Sequence, residues 1–337
     1  MNAVGAVDIG IAGRAEHHRI ALGAAAIGVR GRIGVVIGLH LDNGTSDAID
    51  QQDRANELGR DDMHAAREEP APERHEDQIL STAAKEGISN SAMRVFLAGA
   101  AGAIGRRLVP LLVRAGHAVT GTTRSAEKAS ELAGAGITPA VLDVFDRQAV
   151  IDSVSSARPE VIIHQLTDLP QQLDQVRISA SYPANARIRI EGTRNLLAAA
   201  RAASARRFIV QSIAFAYAPG REPHPETDPL NLADPMRAVT VKGAADMEQR
   251  VLQEEEGIVG IVLRYGLLYG PGTWYSAPER KPALHVDAAA HAAVLAVTRG
   301  KPGIYNIAED DGVVAIEKAR AVLGFDPQYR LDCDLLR

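Results

Sequence analysis

Gly99, Gly102 and Gly105 stand between a short apolar run, Val95 to Ala98, and apolar residues at helical spacing, Ile104, Leu108, Leu111, Leu112 and Ala115. A glycine triplet between strand and helix can hold a dinucleotide by its pyrophosphate. Gly99 permits the tight turn, Gly102 lets the backbone approach the pyrophosphate, and Gly105 lets the helix pack closely on the strand. The helix then opens at Ala103 and Ile104 with free N–H groups and its positive dipole end toward the phosphates. The alternative is the same turn with no ligand.

A second polar group, Thr122-Thr123-Arg124-Ser125, ends the next strand. A carboxylate there would bind the ribose 2′-OH of NAD, whereas an Arg suits the 2′-phosphate of NADP. Thr123 and Arg124 without an acid favour NADP, with NAD still open. Arg124 as a solvated residue at a helix start is the alternative. His164, Thr167, Asp168, Tyr217, Tyr265 and Tyr269 all fall near carboxyl ends of strands, where ligands bind in such sheets. His164 ends a buried strand and reads more simply as a core histidine. Trp274 and Tyr275 either line a pocket for a flat ligand or fill a seam.

The elements that must position these residues alternate from Met93 onward. Strands are expected at Val95–Ala98, His117–Thr122, Ala140–Leu142, Val161–His164, Arg207–Gln211 and Ile258–Leu263. Helices are expected after the glycine turn to Ala115, kinked at Pro110, and over Glu191–Ala203. Another contains Met247, Val251 and Leu252 and closes at Gly257. Ile304 to Ile307, then Ile316, Ala319, Val322 and Leu323 before Gly324, read as a further strand and helix. Strands separated by helices imply right-handed crossovers and a Rossmann-type, doubly wound parallel sheet of the α/β class.

Composition fits that class. The chain has 337 residues, 46% hydrophobic and 23% charged, with net charge −5. No basic stripe points to nucleic acid, and no apolar run approaches the roughly 20 residues a membrane helix needs. The single Cys333 excludes an intramolecular disulfide framework and fits a reducing cytoplasm. No basic segment precedes an apolar one at the N-terminus, so a secretory signal is not expected. The partner is then a small molecule, and a homodimer is left open.

Residues 1–92 contain no aromatic residue, and Glu68-Glu69-Pro70-Ala71-Pro72-Glu73-Arg74 reads as a disordered linker. They are expected to be a low-order upstream extension, as from a start codon placed too early; a small accessory domain is the rival reading. His17, His18, His40, His64 and His75 lack zinc-ligand spacing, so no metal is expected.

Six motifs occur in order: the glycine turn, Leu142-Asp143-Val144, Val161-Ile-Ile-His164, Glu191-Gly-Thr-Arg-Asn-Leu-Leu197, Leu263-Arg264 with Tyr269-Gly-Pro-Gly272, and His285-Val286-Asp287. From Met93 to about Arg330 they resemble the extended short-chain dehydrogenase/reductase family, the NAD-dependent epimerase/dehydratase group. The resemblance implies that Asp143 and Val144 contact adenine, while Gln165 and Leu166 line the ribose and nicotinamide side. It implies, too, a small C-terminal substrate-binding region over about 267–337. It also implies a Tyr acid/base with a Lys four residues on, because a Tyr with pKa near 10 needs a neighbouring cation to work at neutral pH. Here Lys242 keeps the Lys position, but Ala238 stands where the Tyr belongs. The hydroxyl position aligns with Ile213, one residue from Ser212, and Arg189 stands where the family has a supporting Asn. Lys242, Ser212 and Tyr217 remain the catalytic candidates; Lys242 otherwise binds the nicotinamide ribose or is an ordinary helix lysine. Only about a dozen residues separate Gly272 from His285, too few to enclose a nucleotide sugar. The expected function is an NAD(P)-dependent oxidoreductase or epimerase acting on a small carbonyl or hydroxyl substrate through an atypical acid/base group. The alternative is a catalytically silent, NADP-binding sensor or scaffold.

Overall fold

The computed structural model describes residues 92–253 and 257–332. The upstream extension with its five histidines, the acidic run at 254–256 and Cys333 lie outside the described residues. The strands are β1 (Arg94–Ala98), β2 (Ala118–Thr123), β3 (Thr138–Val141), β4 (Val161–His164), β5 (Arg207–Ile213), β6 (Val259–Tyr265), β7 (Leu267–Tyr269), β8 (Ala283–His285) and β9 (Gly303–Ile307). Seven of them form one parallel sheet in the order β3-β2-β1-β4-β5-β6-β9, and β7 pairs with β8 separately. This is the doubly wound order, with a seventh strand beyond β6. It reverses between β1 and β4, and in such sheets ligands bind at that point, outside the carboxyl ends.

The helices are α1 (Ala103–Arg114), α2 (Ala126–Gly134), α3 (Arg147–Ala157), α4 (Gln175–Arg187), α5 (Thr193–Ala202), α6 (Ala238–Leu252), α7 (Val286–Thr298) and α8 (Glu317–Leu323). Strand side chains alternate between two cores, as the pleat requires. Val95, Leu97, Ile163, Ile209 and Ile261 face one way, onto α1 and the alanine-rich α7. Phe96, Ala98, Ile162, Phe208 and Val262 face the other, onto α3, α5 and α6. With helices on both faces the central strands must be apolar throughout, and all four residues of β4 are buried. Residues after 267 join the same sheet and core, through β9 and α7. Among the described residues no helix is long and apolar enough to cross a membrane.

Two differences from the expected elements affect the site. β5 continues to Ile213, so Ser212 lies within a strand. The helix expected from Glu191 is the end of a longer run: α4 leads into a π turn, Ile188–Gly192, and then α5. A π turn carries one extra residue per turn and is frequent at functional sites. Helix α1 runs through Pro110 without a break, since only one backbone bond is removed there.

Candidate functional site

The glycine turn has the conformation the sequence implies. Gly99 sits at φ +96°, where side chains are strained, and a Cβ on it would lie 2.9 Å from the Gln165 carbonyl. Gly102 is exposed, and a Cβ there would meet only the Gly99 carbonyl oxygen, at 3.3 Å. Gly105 is the crowded one: a Cβ would come within 2.3 and 2.4 Å of the Gly99 and Ala100 carbonyl oxygens. Its small size therefore lets α1 pack on the turn itself, where the sequence pointed to the strand. The first ladder bond of α1 runs from Arg106 N–H to the Gly102 carbonyl at 3.0 Å, so the N–H groups of Ala103, Ile104 and Gly105 precede it. α2, α3 and α4 begin on side-chain caps, Ser125, Asp146 and Asp174, but α1 begins on Gly102 with none. Uncapped N–H groups beside an open glycine form an anion cradle.

The rim of the crevice carries the other cofactor candidates. Thr123 ends β2, and its Oγ1 accepts from Ser125 N–H at 3.1 Å. Arg124 Nη2 donates to Asp168 Oδ1 at 3.1 Å. Asp143 is exposed, and Val144 is buried with its carbonyl accepting from Asn195 Nδ2 at 2.9 Å. Gln165 follows β4, its Nε2 donating to the Tyr265 hydroxyl at 3.2 Å, while its buried Oε1 has no partner. Leu166 N–H donates to His164 Nδ1 at 3.2 Å, so the proton of the neutral ring sits on Nε2. Burial, with Arg189 nearby, holds the His164 pKa down at about 3, and its buried Nε2 has no hydrogen-bond partner. A dinucleotide fits this set: a bare phosphate cradle at one end and an unsatisfied amide oxygen at the other.

The catalytic candidates do not converge. Ser212 Oγ donates to Glu248 Oε1 at 2.5 Å in the core. Glu248 also takes a bidentate pair from Arg264, Nη2 to Oε2 at 2.6 Å and Nε to Oε1 at 3.0 Å, with both side chains nearly inaccessible. Arg264 Nη1 then donates to the Tyr217 hydroxyl at 2.8 Å, and that hydroxyl donates to Asn306 Oδ1 at 2.7 Å. Burial pushes the Tyr217 pKa up, although Arg264 opposes it. Ser212 and Tyr217 therefore share one buried network, whereas Lys242 lies exposed on α6. Arg189 spans from the π turn to α6, its Nη1 donating to the Thr240 carbonyl and Oγ1 at 2.9 and 2.5 Å. Burial lowers its pKa to about 10. Tyr269 is tied to Glu309 and to Arg330 and is pushed up to about 12, by burial first and Glu309 second.

The described fold and crevice agree with relationships to known proteins. The NAD dependent epimerase/dehydratase family matches residues 95–283. This chain belongs to that family. A Streptomyces protein named 3-diazoavenalumate denitrifying reductase is 41% identical over 247 residues, covering 67% of this chain and 79% of that protein. Among solved structures, a UDP-glucose 4-epimerase from Thermotoga maritima, with UDP-glucose, aligns with TM-score 0.59 at 20% identity, over 72% of this chain and 96% of its own. A Thermus thermophilus UDP-glucose 4-epimerase complex with NAD aligns with TM-score 0.56 at 20% identity, over 71% and 95%. At such identities the likeness is one of fold.

Two residues had no signal of their own in the sequence. Glu248 lies on α6 and takes up the Ser212 hydroxyl from 36 positions away. Asn185, buried on α4, accepts from Asp168 N–H at 3.0 Å and donates to the Asp168 carbonyl at 3.2 Å, fixing that loop.

Proposed function

We propose that this protein is an NADPH-dependent reductase whose hydride acceptor asks no proton of the enzyme. The observation behind this reading is Ala238 in the place of the family's Tyr, beside an exposed Lys242. The neighbouring hydroxyls are already engaged: Ser212 by Glu248, and Tyr217 by Arg264 and Asn306. A carbonyl acceptor becomes an alkoxide and needs a general acid close by. An acceptor that expels a stable leaving group does not.

The name of the Streptomyces relative, a reductase of a diazo compound that denitrifies it, suggests the class. The nicotinamide cofactor, when bound, supplies hydride, and R–N₂⁺ plus hydride gives R–H plus N₂ with charge and atoms balanced and no proton moved. The chain's own residues bind, orient and exclude water. The N–H groups of Ala103 and Ile104, with Gly102, hold the pyrophosphate; Asp143 and Val144 border the adenine; Arg124 meets the 2′-phosphate. Gln165 offers its unpartnered Oε1 to a donor of the ribose or carboxamide, beside Leu166. A lone Cys333 keeps the reducing cytoplasm as the setting.

The test follows absorbance of NADPH, then NADH, with a panel of diazonium salts and a panel of carbonyl compounds, using Gly102→Val protein as background. NADPH loss with release of N₂ in the diazonium panel alone is expected. Turnover of carbonyl compounds would restore an acid/base group to the site. Tight NADPH binding with no turnover in either panel would make the protein a silent sensor.

A further inference from the structure

Arg124 is the residue assigned above to the 2′-phosphate, and its guanidinium is already paired with the Asp168 carboxylate. The sheet order is β2-β1-β4, so the ends of β2 and β4 are two strand spacings apart, roughly 10 Å. Arg124 follows β2 and Asp168 follows β4, yet Nη2 and Oδ1 are 3.1 Å apart. The pair therefore spans the carboxyl end of β1, joining the residues after β2 to the loop after β4.

The two ends of this bridge are not equally free. Asp168 is held by its backbone, with Asn185 accepting from its N–H and donating to its carbonyl. Two residues on, the Pro170 carbonyl accepts from Trp274 Nε1 at 2.9 Å. Arg124 has a fixed backbone between β2 and the Ser125 cap of α2, but its side chain is 69% exposed and can swing.

We propose that Asp168 is a specificity-determining residue for the cofactor: it sequesters Arg124 across β1 and so restrains the preference for a 2′-phosphate. The inference rests on Arg124 being the 2′-phosphate contact. Binding of NADPH then requires Arg124 to exchange a carboxylate for a phosphate, while NADH binds with the pair intact. An exposed ion pair is weak, so the restraint is modest.

Calorimetric titration of the full chain with NADPH and NADH tests this on wild type, Asp168→Asn, Asp168→Glu and Arg124→Asp. Asp168→Asn keeps the backbone clamp by Asn185 and removes only the charge. It should bind NADPH about two- to fivefold tighter and leave NADH unchanged. Asp168→Glu should return the ratio toward wild type. The gain should vanish near 1 M salt, where the screening length is about 3 Å. If Arg124→Asp leaves the NADPH/NADH ratio unchanged, Arg124 does not meet the phosphate, and the inference falls with that reading. If Arg124→Asp lowers the ratio but Asp168→Asn does not raise it, the role of Asp168 alone is overturned. Equal gains for both cofactors would likewise overturn it, because the pair would then act on the part they share.

Discussion

The β1–β4 half of the sheet's carboxyl end and the β5–β6 half are built in opposite ways. In the first, the N–H groups of Ala103, Ile104 and Gly105 precede the ladder of α1, and the Gln165 Oε1 has no partner. In the second, Arg189 braces the π turn against α6. Ser212 and Tyr217 point into a network around Glu248 and Arg264. A turn crowded at Gly99 and Gly105 admits no side chain at either, whereas the polar side chains of the other half are spent on internal bracing.

The comparison breaks most sharply at two glycines. Gly105→Val should yield no cooperative melt, because its Cβ would enter the Gly99 and Ala100 carbonyl oxygens. Gly102→Val should melt like wild type yet lose about 100-fold or more in cofactor affinity by titration, because the branched side chain takes up the pyrophosphate's approach. Comparable affinity in Gly102→Val would move the phosphate site elsewhere.

In the other half, Glu248→Ala leaves Arg264 buried without its carboxylate. Denaturant unfolding should show a loss of about 3–5 kcal/mol. A loss below about 1 kcal/mol would mean that the network contributes no bracing.

Acid titration should show which histidines tie the halves together. Burial lowers the pKa of His164 to about 3 and of His291 to about 4, so the unfolded chain takes up their protons more readily than the folded one. Their contribution to stability is fully present above about pH 6.5. It falls by roughly 1.4 kcal/mol per pH unit for each as pH drops from there toward 4. His164→Leu should remove about half of that slope.

The smallest effect is expected at Tyr217→Phe. Losing its hydrogen bonds to Arg264 and Asn306 should lower stability by about 1–2 kcal/mol and change turnover less than about threefold. A fall of about 10²–10⁴ in turnover would identify it as the proton donor after all.

Much of the first half was legible because its information is local. Val95–Ala98, the three glycines and the period of Ile104, Leu108 and Leu112 lie within one short stretch, and the doubly wound parallel sheet followed from alternation. Helix α4 was missed because its apolar residues are sparse: Ile178 and Ala186 are its buried hydrophobic positions, and Pro183 lies inside it. The partners of Ser212, Arg124 and Arg189 were invisible for another reason. Each lies dozens of residues away, and nothing in the local spacing of Glu248, Asp168 or Thr240 marks which side chain will meet it. A hydroxyl one residue out of register was readable; the carboxylate that takes it was not.

The hydrogen bond from Trp274 to Pro170 has an optical consequence. Trp274 is the single tryptophan of the chain, and its indole is tied to the loop that carries Gln165 and Asp168. Its fluorescence thus originates from one place, beside the loop that follows β4. Reduced nicotinamide absorbs where indole emits, so cofactor occupancy should register as quenching with energy transfer, without a label or a substrate. The protein carries its own gauge of cofactor occupancy.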